Sequence, residues 1–226
     1  MLHTCLTEQV VKPLSHSTLA NRFATLIGDI PTITACRMYS HPTSKYDVFS
    51  MDTLADAICT NDYSAQEAVM PEHTNSYIIN NFNTLKTIDC DNVDIITIAY
   101  GTNDYAGGIL LSEFISATKY SIEKIKATYP DIQIVLCTPI YRMLNRDDAF
   151  VSGETYKPNG YALPELCNAI KDIGNEYNLL VIDNYNNSGI NSSNWSDYTI
   201  DGSHPNTTGH QMIAENMAKE LYNKFG

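Results

Sequence analysis

Asp94-Ile95-Ile96-Thr97-Ile98-Ala99-Tyr100-Gly101-Thr102-Asn103-Asp104 is the stretch that decides the fold. Its first seven residues form a β-branched, apolar run without polar alternation, the pattern of a strand buried on both faces in a parallel sheet. The four residues that follow are turn formers. Glycine lets the backbone leave the strand sharply, and an Asn two residues later can offer its side-chain N–H above the strand end. An ordinary strand-to-loop turn has the same composition, so this stretch alone defines a strand and not yet a site.

Outward from that strand the pattern repeats. Ile132-Gln133-Ile134-Val135-Leu136-Cys137 and Leu179-Leu180-Val181-Ile182 are further short apolar runs. Amphipathic stretches separate them. One runs from an expected N-cap at Ser112 through Phe114, Ile115, Thr118, Ile122 and Ile125 and stops before Pro130. Another covers Leu163 to Tyr177, with Leu166, Ile170 and Ile173 on one face, and the last covers Thr207 to Phe225, with Ile213, Met217 and Leu221 in one stripe. Upstream, Leu19 to Leu26 reads as a helix, Ile30 to Thr34 as a short strand, and Met51 to Cys59 and Thr74 to Leu85 as helices. This alternation, with right-handed crossovers, predicts a single α/β domain over residues 1–226, a three-layer α/β/α sandwich around a parallel sheet. Ligands of such sheets bind at the carboxyl ends of the strands.

Composition narrows the function. Lys and Arg total 14 against 26 Asp and Glu, a net charge of −12, which disfavours nucleic acid and anionic membrane surfaces as partners. No run approaches the roughly 20 apolar residues that span a bilayer, and Met1-Leu2-His3-Thr4-Cys5 has no signal-like core, so a cytoplasmic location is expected for the chain as written, with secretion the alternative if residues are missing before Met1. The 6 cysteines form no CxxC pair, so no zinc or thioredoxin-type motif is expected, and Cys137 reads as a buried small hydrophobe.

The second informative stretch is Asp201-Gly202-Ser203-His204-Pro205, just before the last helix. An Asp three residues ahead of a His in a tight loop can accept the His Nδ1–H and leave Nε2 as a general base. A loop leading into a helix, with Asn206 as N-cap and a surface His, is the alternative reading of the same residues.

Together, Gly101-Thr102-Asn103-Asp104 and Asp201-Gly202-Ser203-His204 resemble the Gly-x-Asn-Asp and Asp-x-x-His blocks of the SGNH (GDSL-type) hydrolases. Thr18-Leu19-Ala20-Asn21-Arg22-Phe23 is similar to that family's first helix, and Thr34-Ala35-Cys36-Arg37-Met38 to its second block. The resemblance implies a flavodoxin-like parallel sheet and acyl transfer on O-acyl esters, of carbohydrate or small alcohols. His204 would be the base, Asp201 its orienter and Asn103 an oxyanion donor, with Gly101 and the backbone N–H at Ala35 completing the oxyanion hole. No metal or organic cofactor is needed, because nucleophile, base and oxyanion hole are all protein groups. The expected partner is a small-molecule acyl ester.

Two departures stand beside these matches. His3-Thr4-Cys5-Leu6-Thr7-Glu8 occupies the place of the family's Gly-Asp-Ser block, which puts Cys5 where the nucleophilic Ser belongs and reduces the strand before it to Met1-Leu2. Gly28-Asp29-Ile30 carries Ile where a hydroxyl is needed. Ala35 takes the place of the second-block Gly. A thiol beside His204 can run acyl transfer as a thiolate. The competing readings are a catalytically silent domain that binds an acylated or glycan ligand, and a gene product truncated at its first strand. Tyr100, Tyr105, Tyr141, Arg142 and the loop from Arg146 to Gly160 are available to line a pocket, and Asp183, at a strand end, is either a second orienter or a turn former.

Overall fold

The computed structural model describes residues 23–26, 37–40, 47–72, 76–147 and 149–226. They fall into two compact units, one of residues 24–134 and one that includes residues 135–226. Strand β3 (Gln133–Cys137) runs across the division.

In the unit of residues 24–134, β1 (Phe23–Leu26), β2 (Ile95–Ile98) and the start of β3 are neighbours in that order. All four residues of β2 are buried, as its unalternating pattern predicts, and Gln133 N–H donates to the Asp94 carbonyl at 2.8 Å. Phe23–Leu26 is a strand, which corrects the helix expected over Leu19 to Leu26. Phe-Ala-Thr-Leu is equally compatible with both periods, and strand pairing decides between them.

Helix α1 (Met51–Thr60) buries Met51, Leu54, Ala55, Ala57 and Ile58 and ends at Asn61 in the left-handed conformation. Beyond it lie α2 (Ser64–Val69) and α3 (Ser76–Leu85), whose Phe82 packs edge-on against Phe49 and Tyr63 with ring centroids 5.6 and 6.0 Å away. A short α4 (Thr102–Ala106) follows β2. Helix α5 (Leu111–Thr128) starts earlier than expected: its N-cap is Leu110, not Ser112, and the Glu113 carboxylate reaches back to accept the Leu110 N–H at 2.9 Å. Its face of Phe114, Ala117, Thr118, Ser121, Ile122 and Ile125 packs on α1. Tyr120 O–H and Lys124 Nζ both reach Asp56 of α1, at 2.6 and 2.9 Å.

In the unit of residues 135–226, β3 pairs in parallel with β6 (Leu180–Ile182), in the register Val135↔Leu180, Leu136↔Val181, Cys137↔Ile182. Parallel pairing requires a crossover, and α6 (Leu163–Glu176) supplies it, burying Leu163, Leu166, Ile170 and Ile173 and packing on β6. Between β3 and α6 the chain forms an antiparallel hairpin of β4 (Met143–Arg146) and β5 (Ala149–Ser152) where the sequence reads as loop. After β6 come the short α7 (Asn184–Asn187) and α8 (Trp195–Tyr198), then α9 (Thr207–Phe225), which has the bounds expected from its apolar stripe and buries Ala214, Met217 and Leu221. A buried amide pair, Asn216 Nδ2 to Asn184 Oδ1 at 2.9 Å, ties α9 to α7.

Cys137 and Cys167 are buried, as read for Cys137. Burial pushes the Cys137 thiol up to about 12 and the Cys167 thiol higher still. Cys59 and Cys90, half-buried, are also raised by burial, Cys90 to about 11.

Candidate active site

The loop of residues 199–206 is built around an isolated antiparallel bridge between Thr199 and Pro205, closed by the Ile200 N–H donating to the His204 carbonyl at 2.7 Å. Inside that closure Gly202 adopts φ 85°, a left-handed conformation that L side chains rarely take, and a Cβ there would lie 3.0 Å from Met143 Cβ and 3.1 Å from the Phe150 ring. The left-handed turn brings the two ends of Asp201-Gly202-Ser203-His204 together. Asp201 Oδ1 accepts the backbone N–H groups of Ser203 at 3.0 Å and His204 at 2.8 Å, and Asp201 Oδ2 lies 2.7 Å from His204 Nδ1.

A carboxylate accepts only, so Nδ1 carries the proton and Nε2 presents its lone pair. Among the described residues Nε2 has no hydrogen-bond partner. The His204 and Asp201 side chains are 51% and 52% exposed. Partial burial raises the Asp201 pKa, but the His204 N–H, the imidazole and the Ser203 N–H outweigh it and hold the carboxyl below its ordinary value. Asp201 therefore stays ionised at neutral pH, fixes the imidazole tautomer and can stabilise an imidazolium. The alternative reading of this loop holds at the same time: Asn206 is the N-cap of α9, its side chain accepting the Gly209 N–H at 3.0 Å.

Gly101, Asn103 and Asp104 belong to the other unit. Gly101 caps α4 at φ 118° and ψ −29°, and its carbonyl accepts the Tyr105 N–H at 2.9 Å, so the chain passes from β2 to α4 in three residues, with the glycine at the turn as its sequence predicts. Asn103 lies half-buried in the first turn of α4. Asp104 beside it is fully buried, and its carboxylate accepts the Met38 N–H at 2.8 and 3.0 Å and the Tyr39 N–H at 3.4 Å. Burial pushes the Asp104 carboxyl up to about 7 against these bonds and the positive charge of Arg37. The local reading of the sequence gave Asp104 no role beyond turn formation. Its partners are 65 and 66 residues away in the chain, a separation that no local pattern reveals.

Cys5 and Ala35 lie outside the described residues. Asp183 is the N-cap of α7 and is fully engaged there, accepting from Asn186 Nδ2 at 2.6 Å, Asn186 N at 3.2 Å and Thr138 Oγ1 at 3.2 Å, which is the turn-forming alternative. Of the residues available to line a pocket, Tyr100, Tyr105 and Tyr141 are buried in packing, and Phe150 is exposed with its ring 4.8 Å from that of Trp195. A shallow groove lined by Tyr39, Asp52, Asp56 and Tyr120 has its carboxylates already engaged, Asp52 by the Ser40 N–H and Asp56 by Tyr120 and Lys124. Among the described residues no three His, Cys, Asp or Glu side chains converge as metal ligands, and no helix is long and apolar enough to cross a membrane.

Comparison with known proteins agrees with this geometry. The family model for the GDSL-like lipase/acylhydrolase family matches residues 57–212, a span that holds Gly101, Asn103, Asp201 and His204. No curated protein sequence matches the chain significantly. Among solved structures, a protein from Lactobacillus plantarum is similar in fold at a TM-score of 0.54 and 20% identity, over 63% of this chain and 73% of its own. A protein from Parabacteroides merdae ATCC 43184 described as a GDSL-like lipase aligns at a TM-score of 0.50 and 20% identity, over 64% of this chain and 68% of its own. These likenesses establish an α/β fold with a parallel sheet and helices, and the family match, extending over more than half of the chain, places this protein in the GDSL-like lipase/acylhydrolase family.

Proposed function

We propose that the chain is an acylhydrolase that cleaves O-acyl esters of carbohydrate or small alcohols, with His204 as general base and Asp201 as the group that orients it. The observation that carries this reading is the 2.7 Å contact between His204 Nδ1 and Asp201 Oδ2 with Nε2 left open. In the proposed reaction the nucleophile attacks the ester carbonyl while its proton passes to His204 Nε2. The imidazolium, facing the Asp201 carboxylate, then gives that proton to the departing alkoxide, which leaves as the alcohol with the acyl group on the nucleophile. Water, deprotonated by His204 Nε2, next attacks this acyl-enzyme, and the acid and the reprotonated nucleophile are released. The oxyanion of the tetrahedral intermediate is assigned to the Asn103 side-chain N–H and the backbone N–H at Ala35, with Gly101 shaping the turn that presents Asn103. The nucleophile is assigned to the Cys5 thiol, activated as a thiolate by His204.

A second reading, a ligand-binding domain without turnover, is favoured by one observation: His3-Thr4-Cys5 stands where the family carries Gly-Asp-Ser. One experiment separates the two. Hydrolysis of p-nitrophenyl acetate is measured for the native protein and for Cys5→Ala, Cys5→Ser and His204→Ala. Turnover in the native protein that falls to background in Cys5→Ala and His204→Ala supports the thiol mechanism. A native protein no faster than Cys5→Ala, with turnover gained in Cys5→Ser, shows a working base that lacks only its hydroxyl. Background rates in all four proteins remove the hydrolase reading and leave the binding domain.

A further inference from the structure

Arg142 stands at the start of the β4–β5 hairpin, only 8% exposed, and its Nη2 donates to the hydroxyl of Ser203 at 2.8 Å. The same hydroxyl donates onward to the Met143 carbonyl at 3.0 Å, and the Met143 N–H donates to the Gly202 carbonyl at 2.7 Å. Gly202 and Ser203 are the two residues between Asp201 and His204. The hairpin therefore grips the catalytic turn at its centre. A guanidinium only donates and a carbonyl only accepts, so every proton in this chain of bonds has one direction and the Ser203 hydroxyl is locked from both sides.

The lock bears on the base because Ser203 has a second connection. Its backbone N–H donates to Asp201 Oδ1 at 3.0 Å, beside the His204 N–H at 2.8 Å. A rotation of Ser203 thus moves the clamp on the carboxylate that orients the imidazole. The origin of the guanidinium is fixed as well, since the Arg142 carbonyl accepts the Gly153 N–H at 3.0 Å at the far end of the hairpin. Here a donor of a side chain only 8% exposed is spent on the turn between Asp201 and His204, whose own side chains are about half exposed.

We propose that Arg142 and Ser203 are positioning residues for His204: the guanidinium, acting through the Ser203 hydroxyl, sets the orientation of the Asp201–His204 pair. This rests on the reading of His204 as the base. The test therefore uses one readout that needs no turnover. The 15N shifts of the His204 imidazole report which ring nitrogen carries the proton, in native protein, Ser203→Ala, Ser203→Thr, Arg142→Gln and Arg142→Lys. The native imidazole is expected as the Nδ1–H tautomer. Ser203→Ala and Arg142→Gln shift it toward the Nε2–H form that predominates in free histidine, and Ser203→Thr restores the native signal. Where turnover of p-nitrophenyl acetate is present, kcat falls about ten- to hundredfold in Ser203→Ala while KM is unchanged. A native tautomer in a folded Ser203→Ala protein overturns the proposal, whatever happens to Arg142→Gln, which is open to failure by unfolding of the hairpin. If no protein turns over ester, the hydrolase reading falls alone and the tautomer still decides the positioning role.

Discussion

Asp104 and Asp201 are both carboxylates that accept backbone N–H groups, and their surroundings push them in opposite directions. Asp104 is wholly buried and its carboxyl is raised to about 7. A carboxyl raised above its unfolded value of 3.8 binds a proton more tightly in the folded protein, so it contributes stability that is full below about pH 4 and is lost as pH rises through about 7. Urea unfolding at a series of pH values is expected to show a decline of roughly 2–4 kcal/mol over that window, absent in Asp104→Asn, whose amide oxygen can still accept the Met38 N–H. Asp201 is held below its ordinary value by the N–H groups of His204 and Ser203, so its carboxylate is available at neutral pH for the orienting role proposed for it. Replacing it by Asn presents the imidazole with an amide that can donate as well as accept, and kcat for ester hydrolysis is expected to fall at least about a hundredfold with little change in KM. The Asp201–His204 pair was legible in the sequence because both partners sit within one turn. Asp104 was legible only as a turn former, since what it holds, Met38 and Tyr39, comes from a distant segment.

The strands β2, β3 and β6 were legible because each is a short, mostly aliphatic run without polar alternation, and the faces of α5, α6 and α9 because burial on one side leaves a stripe at helical spacing. The β4–β5 hairpin was not legible. Its two-residue connection carries Asp147 at φ 51° where a Gly or Asn would have announced the turn, and β5, with Ala149 and Phe150 exposed, lacks the alternation of a half-buried strand. Phe23–Leu26 was misread for a related reason: four residues are too few for the two periods to diverge. Where the pattern was clear the packing is tight. Leu166 of α6 has no exposed surface, and Leu166→Ala is expected to lower unfolding free energy by about 2–5 kcal/mol in urea titrations followed by circular dichroism, the range for a buried leucine that leaves a cavity.

On the scale of the whole chain, a net charge of −12 opposes any partner recognised through its phosphates or sulfates. The protein is expected to pass through a heparin column without retention even at low salt, and retention would reveal a local basic surface that the total conceals. Membership of an acylhydrolase family was legible because its signatures are short runs at strand ends. The acyl group and alcohol it accepts are written in pocket shape, which no run of residues encodes. The sulfur chemistry of the folded chain has a practical side. Cys59, Cys90, Cys137 and Cys167 are all raised by burial, so at neutral pH almost none of their thiols is in the anionic form that attacks an alkylating agent. These four are the cysteines among the described residues, and Cys5 and Cys36 lie outside them. The proposed Cys5 nucleophile is therefore testable by a brief exposure to iodoacetamide followed by peptide mass mapping: label on the Cys5 peptide is expected to track loss of any ester turnover, with the four shielded thiols as the internal blank.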